Sequence, residues 1–257
     1  MFSIAFALRT KLLEFSTVGF LLLVAFGAFV QTVSGFALGL VIILGATILE
    51  IEQITFSAAV ISLISLVNSS VALRTSYKSI DLHYYYYVCG ALLLGLVIGV
   101  TLLIRLSDAG YSVLRILLGL LVIVAGVLLL LRPKPRASRS GKWARLSFGL
   151  TGGIFSGLFS TGGSVWAYFL YRQPVKLEVI RATLLAVLAF SSITRTIMVV
   201  FAGQMTMNVV FTGLISLPIV VIVTELTSRN LQSIPTVMVR NLVVILMSLA
   251  GLFLIFG

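Results

Sequence analysis

Residues Gly27–Leu40 read GAFVQTVSGFALGL, and they lie inside an apolar run from Val18 to Leu49 that carries no charge. The run is about 32 residues long, whereas one straight membrane helix needs about 20. The excess predicts a broken or re-entrant segment. Gln31, Thr32, Ser34 and Gly35 cluster at its middle, flanked by Gly27 and Gly39. Glycine loosens a helix and lets other backbone approach. Irregular backbone within a bilayer is tolerated where protein or a wet cavity satisfies its polar groups.

The device is repeated. Gly149–Trp166 reads GLTGGIFSGLFSTGGSVW, and Gly27, Phe29 and Ser34 align with Gly153, Phe155 and Ser160 at an offset of 126. Further on, Thr101 aligns with Thr224, Arg115 with Arg240 and Gly126 with Gly251, at offsets of 123 to 125. This is an internal duplication. Paired Gly-interrupted segments in two halves point to a transporter's binding site.

The rest of the chain is consistent with membrane spans. It is 60% apolar and 10% charged over 257 residues, with mean hydropathy +1.20. The expected fold is an all-α polytopic membrane protein of about eight hydrophobic segments in two homologous halves. Residues 1–17 read as an amphipathic lead, 18–131 as the first half, 132–145 as a linker and 146–257 as the second half. Within the halves, segments fall at 18–49, 54–73, 84–104, 111–131, 146–171, 180–201, 207–226 and 236–256. The tyrosine run Tyr84–Tyr87 opens the third segment and suggests interfacial anchors.

The linker RPKPRASRSGKWAR has six basic residues and no acid. By the positive-inside rule it is cytoplasmic. If each broken segment crosses the membrane, ten basic residues fall inside and seven outside. If each returns to its own side, the halves are inverted and the count is thirteen against four, with Arg195 left out of both. The second arrangement is preferred. The net charge of +11 therefore reflects topology, and no nucleic-acid partner is expected. The single Cys89 rules out an intramolecular disulfide.

Arg195 is the sharpest residue, lying deep within LLAVLAFSSITRTIMVVFAG. Charges at such depth are costly and usually functional. Snorkelling to the interface, or pairing with one of the seven acids, is the plainer reading. A broken helix also aims free N–H groups and a positive dipole end at its gap. Thr32, Ser34, Ser156, Ser160 and Thr161 add hydroxyls, Gln31 an amide, and Gly35, Gly162 and Gly163 give access to main chain. Neither broken segment holds an acid, so this inventory favours an anion over a cation. One histidine, His83, and no GxSxG or P-loop sequence leave no enzyme, metal centre or ATPase to propose, and no cofactor is expected. Asp81 and His83 in a polar turn are more simply solvated than proton-coupling.

These residues resemble the sulfite exporter TauE/SafE family, also called the toluene-sulfonate uptake permeases. The resemblance rests on VSGFALGL and GxxSGLFSTGG, on the duplication, on the arginine-led last spans near Arg115 and Arg240, and on Ser192, Arg195 and Gly203. It covers roughly residues 18–257. The sequence departs from the family pattern at Ala37–Gly39, where no proline follows, and at Ser164–Trp166. The resemblance implies an inner-membrane permease for sulfite, organosulfonates or other small anions, often an exporter, coupled to the proton-motive force. Its partners would be the anion and the lipid bilayer, with a homodimer compatible. A passive anion channel and a non-transporting scaffold are the alternative readings.

Overall fold

The computed structural model describes residues 2–109, 111–130 and 136–231, with Asn241, Ile245 and Gly251 placed individually. The segment expected at 236–256 thus lies outside the described residues but for those three, and Arg240 with it. The elements are α1 (Phe2–Ser34), α2 (Leu38–Ile48), α3 (Ile54–Leu73), α4 (Leu82–Ala109), α5 (Tyr111–Leu130), α6 (Lys142–Phe159), α7 (Gly163–Tyr171), α8 (Leu177–Phe201) and α9 (Met207–Arg229). No strand occurs among the described residues. Five stretches are long and apolar enough to cross a membrane: Ser16–Ser34, Ile54–Leu73, Leu82–Leu106, Leu177–Phe201 and Met207–Arg229.

Both broken segments are helical hairpins. The first turns at Gly35 (φ 82°) and Ala37 (φ 86°), and the Ser34 hydroxyl accepts from the Phe36 N–H (3.3 Å) within the turn. Its arms run antiparallel. Gly19 faces Ile51, Gly45 receives the Leu23 side chain, and Gly27 faces Leu38 and Ile42. The second hairpin turns at Ser160 (φ 57°), whose N–H donates to the Ser156 carbonyl (2.9 Å). Here the Trp166 indole lies on Gly152, and Phe148 packs on Phe169 with centroids 4.5 Å apart. The arms are unequal, 18 residues in α6 and 9 in α7. The lead is continuous with α1.

The direction of α3 and α8 gives the symmetry. Arg195, near the end of α8, meets Ala58 and Ser62 near the start of α3. Just beyond the other end of α3, Ser79 donates to Glu178 (2.7 Å) and the Asp81 N–H to Thr183 (2.9 Å). These matched helices are antiparallel, so the halves are related by inversion. One hairpin enters from each face. The second enters from the linker face, where the Arg136 N–H donates to the Arg172 carbonyl (2.8 Å) and Ser140 bonds Gln173.

Helix α4 runs parallel to α6 along a seam of small residues. A Cβ on Gly95 would overlap the Leu150 carbonyl, and one on Gly99 the Ile154 carbonyl; Gly149, Gly153 and Gly157 supply the facing surface. Close backbone approach of this kind is how helices associate where lipid is as apolar as leucine. By inversion, α9 lies along α1. The tyrosine run is split. Tyr84 is buried and stacked on Phe169 (5.4 Å), while Tyr86 is exposed. Tyr84 is therefore core rather than an interfacial anchor, because α7 covers that face of α4. The acid closest to mid-span by sequence, Glu225, is half-buried and pairs with Arg229 (3.1 Å).

Candidate functional site

The hairpin tips pass one another inside the molecule. Gly39, in the first turn of α2, lies so close to Ser160 that a Cβ there would overlap the Ser160 carbonyl oxygen. Gly163, opening α7, faces Phe36, with a built Cβ 3.1 Å from the phenylalanine Cβ. A larger residue at either glycine would part the tips.

Arg195 lies beside this crossing and is 1% exposed. Its Nε donates to the Gly157 carbonyl (3.2 Å), and its Nη1 to the Ala58 carbonyl (2.7 Å) and the Ser62 hydroxyl. Gly157 is in the last turn of α6, where carbonyls lack an intrahelical donor and the dipole is negative. The guanidinium therefore spans both halves of the protein. The Ser160 hydroxyl joins it, donating to Ala58 O (3.1 Å) and lying 3.3 Å from Ser62 Oγ. Among the described residues the ion pairs are Arg139–Asp81 and Arg229–Glu225, both at the protein surface. Arg195 is held by neutral oxygens, and among the described residues no carboxylate compensates it. It neither snorkels nor pairs.

A second polar cluster lies between α1, α3 and α9. Gln31 Nε2 donates to Ser69 Oγ (3.1 Å), and Asn68 Nδ2 reaches Thr32 Oγ1 (3.1 Å), Thr224 Oγ1 (2.7 Å) and the Ala28 carbonyl (3.2 Å). Asn68 Oδ1 is buried with no partner. The two clusters are inversion mates. Gln31 and Gly157 differ by 126 in number, as do Ser69 and Arg195; Gln31 bonds Ser69 in one cluster and Arg195 bonds Gly157 in the other. Likewise Ala58 and Ser62 correspond to Leu184 and Leu188. One cluster is cationic; its mate is neutral.

Of the residues singled out from sequence, Ser160 and Arg195 are in one cluster and Gln31 and Thr32 in the other. Ser156 bonds Ser191 (2.6 Å) on the flank of α6. Ser34 and Gly35 form the first turn, and Thr161, Gly162 and Gly163 the second. A Cβ on Gly162 would overlap the Gly152 carbonyl, so that glycine serves hairpin closure. Sequence reasoning missed Ser62, the Ala58 and Gly157 carbonyls, Asn68, Ser69, Ser191 and Thr224 as members of these clusters. For α3 a signal existed: Ser62, Ser65 and Ser69 recur at spacings of three and four, the period of one helix face.

Comparison with known proteins agrees with this architecture. The model of the family described as Sulfite exporter TauE/SafE matches residues 20–254. A protein of Cupriavidus necator named as a probable sulfite/organosulfonate exporter TauE is 34% identical over 203 residues, 79% of each chain. No solved structure matches. With the matched region covering both hairpins and the helices around them, the chain is a multi-pass membrane transporter, not an enzyme, and belongs to the sulfite exporter TauE/SafE family.

Proposed function

We propose that the chain carries small sulfur oxyanions, sulfite or organosulfonates, and binds them at the crossing of the hairpin tips, with Arg195 as counter-charge. The observation that carries this reading is the buried, acid-free setting of Arg195. A guanidinium shut from water without a carboxylate is costly, and an anion seated against it would offset that cost. Ser160 and Ser62 supply hydroxyls beside it, and the glycines Gly39 and Gly163 let the hairpin tips cross closely there. The relative's name supports the substrate class. Residues 132–145 are the cytoplasmic joint between halves 18–131 and 146–257, since the inverted arrangement puts thirteen basic residues on the linker face and four on the other. Alternating access would follow from one half rocking against the other about the crossing.

The test is thermal stability of the purified protein against sulfite, sulfate, sulfoacetate, isethionate, thiosulfate, acetate and chloride at fixed ionic strength. A ligand at 100 times its dissociation constant stabilises by about 2.7 kcal/mol. Selective stabilisation by one sulfur oxyanion, with saturable flux of the same ion in liposomes, is the expected outcome. Equal shifts with every anion, or current that does not saturate, would sink the proposal and favour a channel.

A further inference from the structure

Arg181 lies on α8 fourteen residues before Arg195. At 3.6 residues per turn and 1.5 Å per residue, the two stems leave the helix within about 40° of one another and about 21 Å apart along its axis. The helix thus carries two arginines on one face, one at the crossing and one near the linker face. Arg181 is half-buried, and its Nε is enclosed with no hydrogen-bond partner. It forms no ion pair among the described residues. Glu178, one turn earlier, is occupied by the Ser79 hydroxyl (2.7 Å).

Arg181 is packed at the tip of the first hairpin, near the linker face. Gly35, at the tip of the first hairpin, lies against its stem; a Cβ there would stand 3.4 Å from Arg181 Cγ and 3.6 Å from Arg181 Cα. The inversion mate of Arg181, again 126 residues away, is Thr55. Thr55 lines an open cavity of about 390 Å³ at the opposite face, together with Gln53, Gln204 and Thr206. Arg181 therefore occupies, at the linker face, the place that a neutral hydroxyl occupies at the other mouth.

We infer that Arg181 forms a second anion-binding site, at the linker-face mouth, which takes the same small oxyanion before it reaches Arg195. An oxyanion presents two acceptor oxygens to the two Nη groups of a guanidinium, the fork geometry that arginine suits. The neutral mouth formed by Gln53, Thr55, Gln204 and Thr206 holds the ion less tightly. The inference rests on the anion-transport reading, and the two fail differently.

The full chain is placed in sealed vesicles of each orientation, and half-saturation of sulfite flux is measured from each face. Arg181→Gln should raise half-saturation about tenfold from the linker face, as loss of one charge-assisted contact would. From the opposite face it should change less than about twofold, and Arg181→Lys should restore part of the loss. An unchanged linker-face value, or an equal rise from both faces, overturns the site while leaving wild-type transport intact. Absence of saturable sulfite flux in the wild type overturns the transport reading itself, and this site with it. Should Arg181→Gln fail to fold, phenylglyoxal modification of the wild-type chain, read by mass spectrometry, decides the matter. Sulfite at flux-saturating concentration should slow the adduct at Arg181, and an unslowed adduct overturns the site.

Discussion

Replacing Arg195 with glutamine separates its structural contacts from its charge. Three acceptors lose a donor: the Gly157 carbonyl, the Ala58 carbonyl and the Ser62 hydroxyl. Ala58 O keeps hydroxyl donors in Ser62 (2.9 Å) and Ser160 (3.1 Å), so it is not orphaned. Gly157 O, in the last turn of α6, is left with no side-chain donor. That loss costs about 1–3 kcal/mol. Against it stands relief of an enclosed, uncompensated charge, an effective penalty of several kcal/mol. The two terms nearly cancel, so unfolding free energy should shift by no more than about 2 kcal/mol, with stabilisation as acceptable as loss. Anion affinity should behave otherwise. Removing the counter-charge of a desolvated anion costs at least about 2.8 kcal/mol, a hundredfold in dissociation constant. The assays are denaturation of the detergent-solubilised protein and sulfite titration of the same preparation. If Arg195→Gln lost more than about 4 kcal/mol of stability while the folded fraction bound sulfite as the wild type does, Arg195 would be a cap on α6 and nothing more.

Other perturbations give independent checks. Gly99→Leu should destabilise the protein by about 3 kcal/mol or more, because its side chain would meet the α6 backbone at Ile154 and no flexible group can yield; thermal melts in detergent measure this. Ala37→Gly should raise unfolding free energy by up to about 1 kcal/mol, since it relieves a left-handed alanine (φ 86°), as denaturant titration would show. Burial raises the Glu52 carboxyl above its ordinary 4.5, so the native state holds that proton more tightly than the unfolded chain does. The corresponding stability is fully present below the unfolded-state pKa and is lost as pH rises through the folded value. Glu52→Gln should flatten the stability profile across that acid window.

Much of this architecture is legible in the residues because bilayer physics leaves few choices. A 32-residue apolar run with Gln31, Ser34 and Gly35 at its middle cannot be one straight span, and it is a hairpin. The basic residues give the inverted arrangement without any contact information. Arg195 stood out because a charge within an apolar helix is rare. What stayed hidden was tertiary. Nothing local to Arg195 announces that its partners are a carbonyl on α3 and another at the end of α6. Likewise, Tyr84 and Tyr86 are the same residue type two positions apart; burial by α7 distinguishes them. Backbone acceptors carry no sequence signature at all, since every residue has one.

The neutral cradle of Arg195 has an electrical consequence. Its positive charge is part of the protein, and among the described residues no carboxylate is paired with it. On the proposed reading, an anion that passed from the linker face to the opposite mouth without a coupling ion would move its whole charge through the transmembrane field, and such a cycle would be electrogenic. With the linker face held negative, outward passage is favoured by about 2.3 kcal/mol per elementary charge for each 100 mV. The resting potential would then act as a rectifier on such a pathway, driving outflow and resisting return.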